Sequence, residues 1–203
     1  MKKLVLKLIA TMALLAVPLA APAAAPGADI TVRVEKDSGA FTVNAQLTVA
    51  ASLDEVWAVL TDFDRMAQIL SNVDASKVSN RDGNKFEVVQ KSHASAGLFR
   101  ISLDSVREVE LLPKQEIRSH LVKGDLKSSD FTTRLAEAGN VVTITVQGKF
   151  VATGLSASAI TPETVESQTR RQYQELREEV LRRKTNQPTP PCILAKNCTQ
   201  STG

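Results

Sequence analysis

The chain has 203 residues, with 25 Lys and Arg against 22 Asp and Glu, and only 4% aromatic residues. The three surplus cations, Lys2, Lys3 and Lys7, all lie in the first 23 residues, so the remainder carries 22 charges of each sign. That balance excludes a global positive field for nucleic acid or anionic membrane, and one Trp with one Tyr is too few for a base-stacking platform.

Residues 1–23 read as an export signal. Lys2 and Lys3 form a charged start, and Leu8 to Val17 is an uninterrupted apolar core, too short to span a bilayer. Ala21-Pro22-Ala23 places small residues where a signal peptidase needs them, so cleavage is expected after Ala23, with Ala28 as the alternative. The expected location is therefore periplasmic or secreted, with no membrane span once the signal is removed. Residues 24–39 form a lead-in, in which 30–36 either extend the first strand or precede it as an extra one.

From Phe41 the chain alternates: Phe41, Val43, Ala45, Leu47 and Val49 against Thr42, Asn44, Gln46 and Thr48, the pattern of a half-buried strand. Ser52 and Glu55 then have the spacing of a capping box, and Val56, Val59 and Leu60 make a narrow apolar stripe on the short helix that follows. A second short helix is expected over roughly Arg65 to Leu70, with Asp64 as its N-cap.

Turn residues then recur at Asp82-Gly83-Asn84, Ala96-Gly97, Leu112-Pro113-Lys114, Lys123-Gly124-Asp125 and Ala138-Gly139-Asn140. Between them lie alternating runs such as Phe99, Ile101, Leu103 and Val142, Ile144, Val146, Phe150. Connections this short join antiparallel neighbours, and the count comes to about seven strands.

A long helix opens at Thr161-Pro162-Glu163: a capping hydroxyl, a proline in the first turn and an acid at the positive helix end. Val165, Tyr173, Leu176 and Val180 fall near one face. Glu166–Arg170, Glu178–Arg182 and Glu179–Arg183 are spaced for ion pairs on the other. Running from Pro162 to Lys184, the helix would span about 34 Å, enough to cross a sheet. The tail, 185–203, holds a Pro-rich linker and both cysteines, Cys192 and Cys198, which in an exported chain are expected to pair as a disulfide closing a small loop outside the folded unit.

The stretch Ala50-Ala51-Ser52-Leu53-Asp54-Glu55-Val56-Trp57-Ala58-Val59-Leu60-Thr61-Asp62-Phe63-Asp64-Arg65-Met66, with the element order around it, resembles the START-like, Bet v 1-like (SRPBCC) helix-grip superfamily. It is nearest the polyketide cyclase/dehydrase and coenzyme-Q-binding branches. The resemblance covers residues 40–184. It implies an α+β helix-grip fold, in which a curved antiparallel sheet wraps the long C-terminal helix and two short helices follow the first strand. It also implies a cavity for lipids, polyketides, hormones or quinones, and no shared catalytic motif.

Chemistry-bearing residues are few. His93 shares its alternation face with Glu87 and Lys91, and His120 with Glu116 and Arg118, so both are read as surface histidines without the further ligands a metal needs. Asp62 and Asp64 suit a helix junction better than acid–base work, and Trp57 suits the core. Gly154-Leu155-Ser156-Ala157-Ser158 lacks nucleophile-elbow spacing, and no phosphate cradle is found.

Alternation nominates Val88, Gln90, Ser92, Ile101, Leu103, Leu121, Phe131, Ile144, Val146 and Phe150 as inward-facing, with Tyr173 from the helix. Gln90 and Ser92 are polar there, so they either bond one another or water, or orient a ligand. The reading is an exported binding or carrier protein for an apolar small molecule (lipid, quinone or polyketide-like), with no cofactor. The alternatives are a cyclase/dehydratase-type enzyme, which a buried charge facing the cavity would favour, and a partner-binding adaptor whose cavity is packed shut.

Overall fold

The computed structural model describes residues 30–96, 99–153 and 160–186; the expected export signal, most of the expected linker, and Cys192 and Cys198 with their expected disulfide lie outside them. Strands β1 (Thr31–Asp37) and β2 (Ala40–Val49) form a hairpin over Ser38-Gly39. Both turn residues have positive φ, 49° and 85°, the two-residue geometry whose twist matches that of paired strands. The lead-in is thus a separate edge strand.

Helix α1 (Leu53–Leu60) starts on the expected capping box. Ser52 Oγ accepts the Glu55 N–H at 3.3 Å, and Glu55 Oε2 accepts the Ser52 N–H at 2.8 Å. A single 3-10 turn (Phe63–Arg65) and the four-residue α2 (Met66–Ile69) complete the excursion. Asp64 does not cap this segment: Asp62 holds the N-cap position without a capping bond from its side chain, and Asp64 Oδ1 instead accepts the Val78 N–H at 2.8 Å. Val78 belongs to an edge strand, whose outward N–H otherwise has only water, and that donor wins the carboxylate.

Six strands follow as a meander: β3 (Val73–Asp82), β4 (Lys85–Ala96), β5 (Phe99–Leu112), β6 (Glu116–Gly124), β7 (Leu126–Ala138) and β8 (Val141–Ala152). The eight strands form one antiparallel sheet in the order β1-β2-β8-β7-β6-β5-β4-β3. Helix α3 (Pro162–Thr185), capped by Thr161, lies across it. This is the helix-grip arrangement, with β1 added to the seven strands counted from Phe41.

Alternation puts Phe41, Val43, Ala45, Leu47 and Val49 on the inner face, where all are at most 4% exposed. They pack with Val56, Val59 and Leu60 of α1, Val142, Ile144 and Val146 of β8, and Leu176 and Val180 of α3, while Trp57 sits half-buried against them. Area buried at about 25 cal/mol per Å² makes this cluster the main stabilising element.

The polar face of α3 is not simply solvated. Glu179 does pair with Arg183 at 2.6 Å, and also with Arg182 at 2.7 Å. The expected Glu166–Arg170 pair is absent, because both residues serve the β1 edge: Glu166 Oε1 accepts the Val34 N–H at 3.0 Å, and Arg170 donates to the Ile30 carbonyl. Glu178 takes Gln174 in place of Arg182. At the other end Arg183 bonds Asp62 at 2.8 Å and Lys184 donates to the Ala50 carbonyl, clamping α3 onto the α1 end of the core. Asp62 therefore has a structural ion-pair role.

Candidate functional site

The two ends of α3 meet the sheet differently. Its C-terminal half presents Leu176 and Val180 to a closed core. Its N-terminal half presents Thr164, Val165, Gln168, Thr169, Gln172 and Tyr173, and beneath them lies a cavity of about 220 Å³. The strands supply Val43, Ser92, Ala94, Leu103, Arg107, Leu126, Ser129, Phe131 and Phe150. Asn72, Thr164, Gln168 and Gln172 also line an outer cleft of about 480 Å³ between α3 and the start of β3 and β4, so cavity and cleft share a boundary. Alone, the inner space is below the ~300–1,000 Å³ of typical small-molecule sites, and a longer ligand would continue into the cleft.

Of the residues nominated from sequence, Ser92, Leu103, Phe131, Phe150 and Tyr173 line this cavity. Val88, Ile144 and Val146 face inward but are at most 2% exposed within the closed core. Leu121 is buried and Ile101 half-buried, both outside the cavity lining. Gln90 turns to its neighbour on β3, donating to Ser76 Oγ at 3.2 Å, so its polarity is satisfied within the sheet. Ser92 donates to the Leu103 carbonyl at 3.3 Å while remaining on the cavity wall. Period two assigns a face, but it does not say how far along the strand the core stops and the cavity begins.

Two aromatic groups shape the wall. Phe150 stacks on Phe41 with centroids 4.8 Å apart. Phe131 is paired directly across from Gly148, and a Cβ on that glycine would run into the Phe131 ring. The missing side chain lets the ring lie against the sheet, which leaves space above it. The Tyr173 hydroxyl has no hydrogen-bond partner among the described residues, and burial pushes its pKa up, so it stays a neutral donor.

The residue that alternation could have found, and that was not nominated, is Arg107. It lies on β5 in the same phase as Leu103, four residues further on, and a register shift between Val106 and Arg107 marks a bulge at that point. Its guanidinium donates to Ser119 Oγ at 3.3 Å and to Ser129 Oγ at 3.1 Å, and lies 6.0 Å from the Phe131 ring centroid. Burial lowers its pKa, opposed by the field of Asp130. Arg107 remains a cation nonetheless, because guanidinium does not deprotonate in proteins.

His93 departs from the surface reading. Its side chain is only 16% exposed and its Nδ1 lies 3.1 Å from Asp74 Oδ2 and 2.8 Å from Arg100. An irregularity between Val73 and Ala75 sets Asp74 out of register beside it, and Gln168 of α3 bonds the His93 carbonyl from above. His120, 62% exposed, is on the outer surface as expected. Among the described residues no group of three His, Cys, Asp or Glu could hold a metal ion, and no helix is long and apolar enough to cross a membrane.

Residues 49–172 match the family model described as polyketide cyclase / dehydrase and lipid transport. No curated protein matches the chain in sequence. Solved structures of similar fold include the STAR-related lipid transfer protein from Xanthomonas axonopodis, 16% identical with TM-score 0.58, covering 74% of this chain and 98% of that one. The Zhui aromatase/cyclase from Streptomyces sp. R1128 is 18% identical with TM-score 0.57, covering 72% and 94%. A START superfamily protein from Mycobacterium smegmatis is 14% identical with TM-score 0.56, covering 70% and 95%. At these identities the likeness is one of fold.

Proposed function

The chain belongs to the polyketide cyclase / dehydrase and lipid transport family, and on that premise we propose that it is an exported carrier holding an apolar small molecule between α3 and the inner face of the sheet. The observation that carries this reading is the change in packing along α3. The same helix that seals a core at Leu176 and Val180 stands over open space at Tyr173, where an apolar floor of Leu103, Phe131 and Phe150 faces the polar Thr164, Gln168, Thr169 and Gln172. An apolar surface beside polar groups that can fix orientation is the composition of a site for an amphiphilic ligand.

Ala94→Trp, which projects a large ring into the cavity from a half-buried wall position, is expected to abolish binding of a neutral apolar fluorescent probe while leaving the melting transition in place. A wild-type protein that binds no such probe, or a folded variant that still binds it, defeats the carrier reading in favour of a partner-binding adaptor. Arg107 favours a second reading on the same site, a cyclase/dehydratase-type enzyme in which the cation stabilises charge developing on a ligand oxygen. Recovery of every bound ligand unchanged after prolonged incubation counts against it.

Export rests on Lys2-Lys3, the Leu8–Val17 apolar core and Ala21-Pro22-Ala23, and the disulfide on two cysteines in an exported tail. The intact mass of protein taken from the cell envelope reads both. The expected mass begins at Ala24 and falls two hydrogens short of the fully reduced chain. A mass that includes Met1 refutes export, and a fully reduced one refutes the pairing.

A further inference from the structure

Arg107 has five N–H donors, and only two are used, on the neutral hydroxyls of Ser119 and Ser129. Among the described residues no carboxylate lies within ion-pair distance of it. Asp130, whose field it feels, sits one residue from both Ser129 and Phe131 on β7, and alternation therefore turns it to the other face, where it is 61% exposed and bonded to His120. Among the described residues the cavity lining contains no second charged side chain.

A half-buried cation without a counter-ion among the described residues does little to stabilise a fold. Replacing such a group by an apolar one of similar volume is often neutral or favourable, while the desolvation of an unpaired charge is costly. The hydroxyls of Ser119 and Ser129 and the nearby Phe131 ring keep the guanidinium on the cavity wall in spite of that cost.

From this geometry we propose that the ligand is a single-chain amphiphile bearing one carboxylate, whose head group pairs with Arg107 while its chain lies along Leu103, Phe131 and Phe150. The proposal rests on the cavity being a ligand site, as argued above, and adds the ligand's class. The planar guanidinium fork matches the two oxygens of a carboxylate. Ser129, which lines the cavity and accepts from Arg107, retains a hydroxyl hydrogen that can be donated to a head-group oxygen. One cation, with no other charged side chain among the described residues of the cavity lining itself, balances a monoanion. A phosphate monoester, near two negative charges, would leave one unmatched in a low-dielectric site.

The test measures displacement of a neutral apolar fluorescent probe by dodecanoate, methyl dodecanoate and dodecyl phosphate, at a pH well above the carboxylic acid range. Wild type should prefer dodecanoate over its methyl ester by about tenfold or more, the ratio that ~1.4 kcal/mol produces. In Arg107→Met, acid and ester, each measured relative to that variant's own probe affinity, should lie within about threefold of each other, a gap of under ~1 kcal/mol.

Arg107→Lys, which keeps the charge and loses the fork, should retain a reduced preference for the acid. It decides the matter together with the wild-type ratio if the Met variant does not fold. Equal binding of acid and ester by wild type, or a preference that survives Arg107→Met, overturns the proposal, and so does tighter binding of dodecyl phosphate than of dodecanoate. If the probe binds and the acid shows no preference, the head-group assignment alone falls. If the probe itself does not bind to wild type, the cavity reading falls with it.

Discussion

Gly148→Ala tests how the cavity is made. Position 148 lies on the inner face of β8 between Val43 of β2 and Phe131 of β7, two residues beyond the closed core at Val146. A Cβ there meets the Phe131 ring at three of its carbons, closer than real Cβ atoms approach any neighbour. The backbone φ is compatible with alanine, so the whole effect is steric.

The ring has one soft direction, upward into the space of about 220 Å³ beneath α3. Overpacking of this kind costs about 1–3 kcal/mol. At about 2–4 °C per kcal/mol for a chain of this size, the melting temperature should fall by about 2–12 °C. The displaced ring also leaves its place 6.0 Å from Arg107 and occupies ligand volume, so affinity for a neutral apolar probe should drop together with stability. Thermal unfolding by circular dichroism and probe titration on the same sample read both quantities. A second substitution, Phe131→Leu, removes ring carbons from the clash and should recover part of the lost stability, making the pair non-additive. An unchanged melting temperature and probe affinity in Gly148→Ala, or strict additivity in the double variant, would refute the account of the wall.

The clamp at the other end of α3 predicts a pH dependence. Hydrogen bonds from Arg182, with further help from Arg183 and against the cost of burial, hold the Glu179 carboxyl down to about 2 from a usual 4.5. A carboxyl with a depressed native pKa leaves the unfolded chain binding more protons, so its contribution is full above about 4.5 and is lost as pH falls towards about 2. The stability gap between wild type and Glu179→Gln should accordingly narrow across that window in acid unfolding curves; a gap independent of pH would show that the Arg contacts do not act through the carboxylate charge.

Local sequence signals sufficed where the physics is local. The capping box at Ser52 and Glu55, Pro162 in the first turn of α3, the hairpin turns and the inward phase of Phe41 to Val49 all depend on residues within a few positions of one another. The family pattern around Trp57 then supplied the helix-grip fold. Strand faces were equally legible, since side chains alternate with period two: Leu103, Phe131 and Phe150 were read as inward-facing by that rule, and Tyr173 from its helix face.

What tertiary structure alone decided was depth and partnership. Ile144 and Phe150 share a strand and a face, yet one lies in closed core and the other on a cavity wall, because α3 brings Leu176 and Val180 over the first and small or polar residues over the second. Glu166 and Arg170 left each other for the β1 backbone, and Asp64 left its helix for Val78, because edge-strand donors and acceptors that come near only after folding compete for the same side chains. Arg107 carried a readable phase, but its meaning came from what surrounds it: two serine hydroxyls, an aromatic ring and no carboxylate. Whether a half-buried charge is paired depends on residues brought together from distant strands, and no spacing along the chain records that.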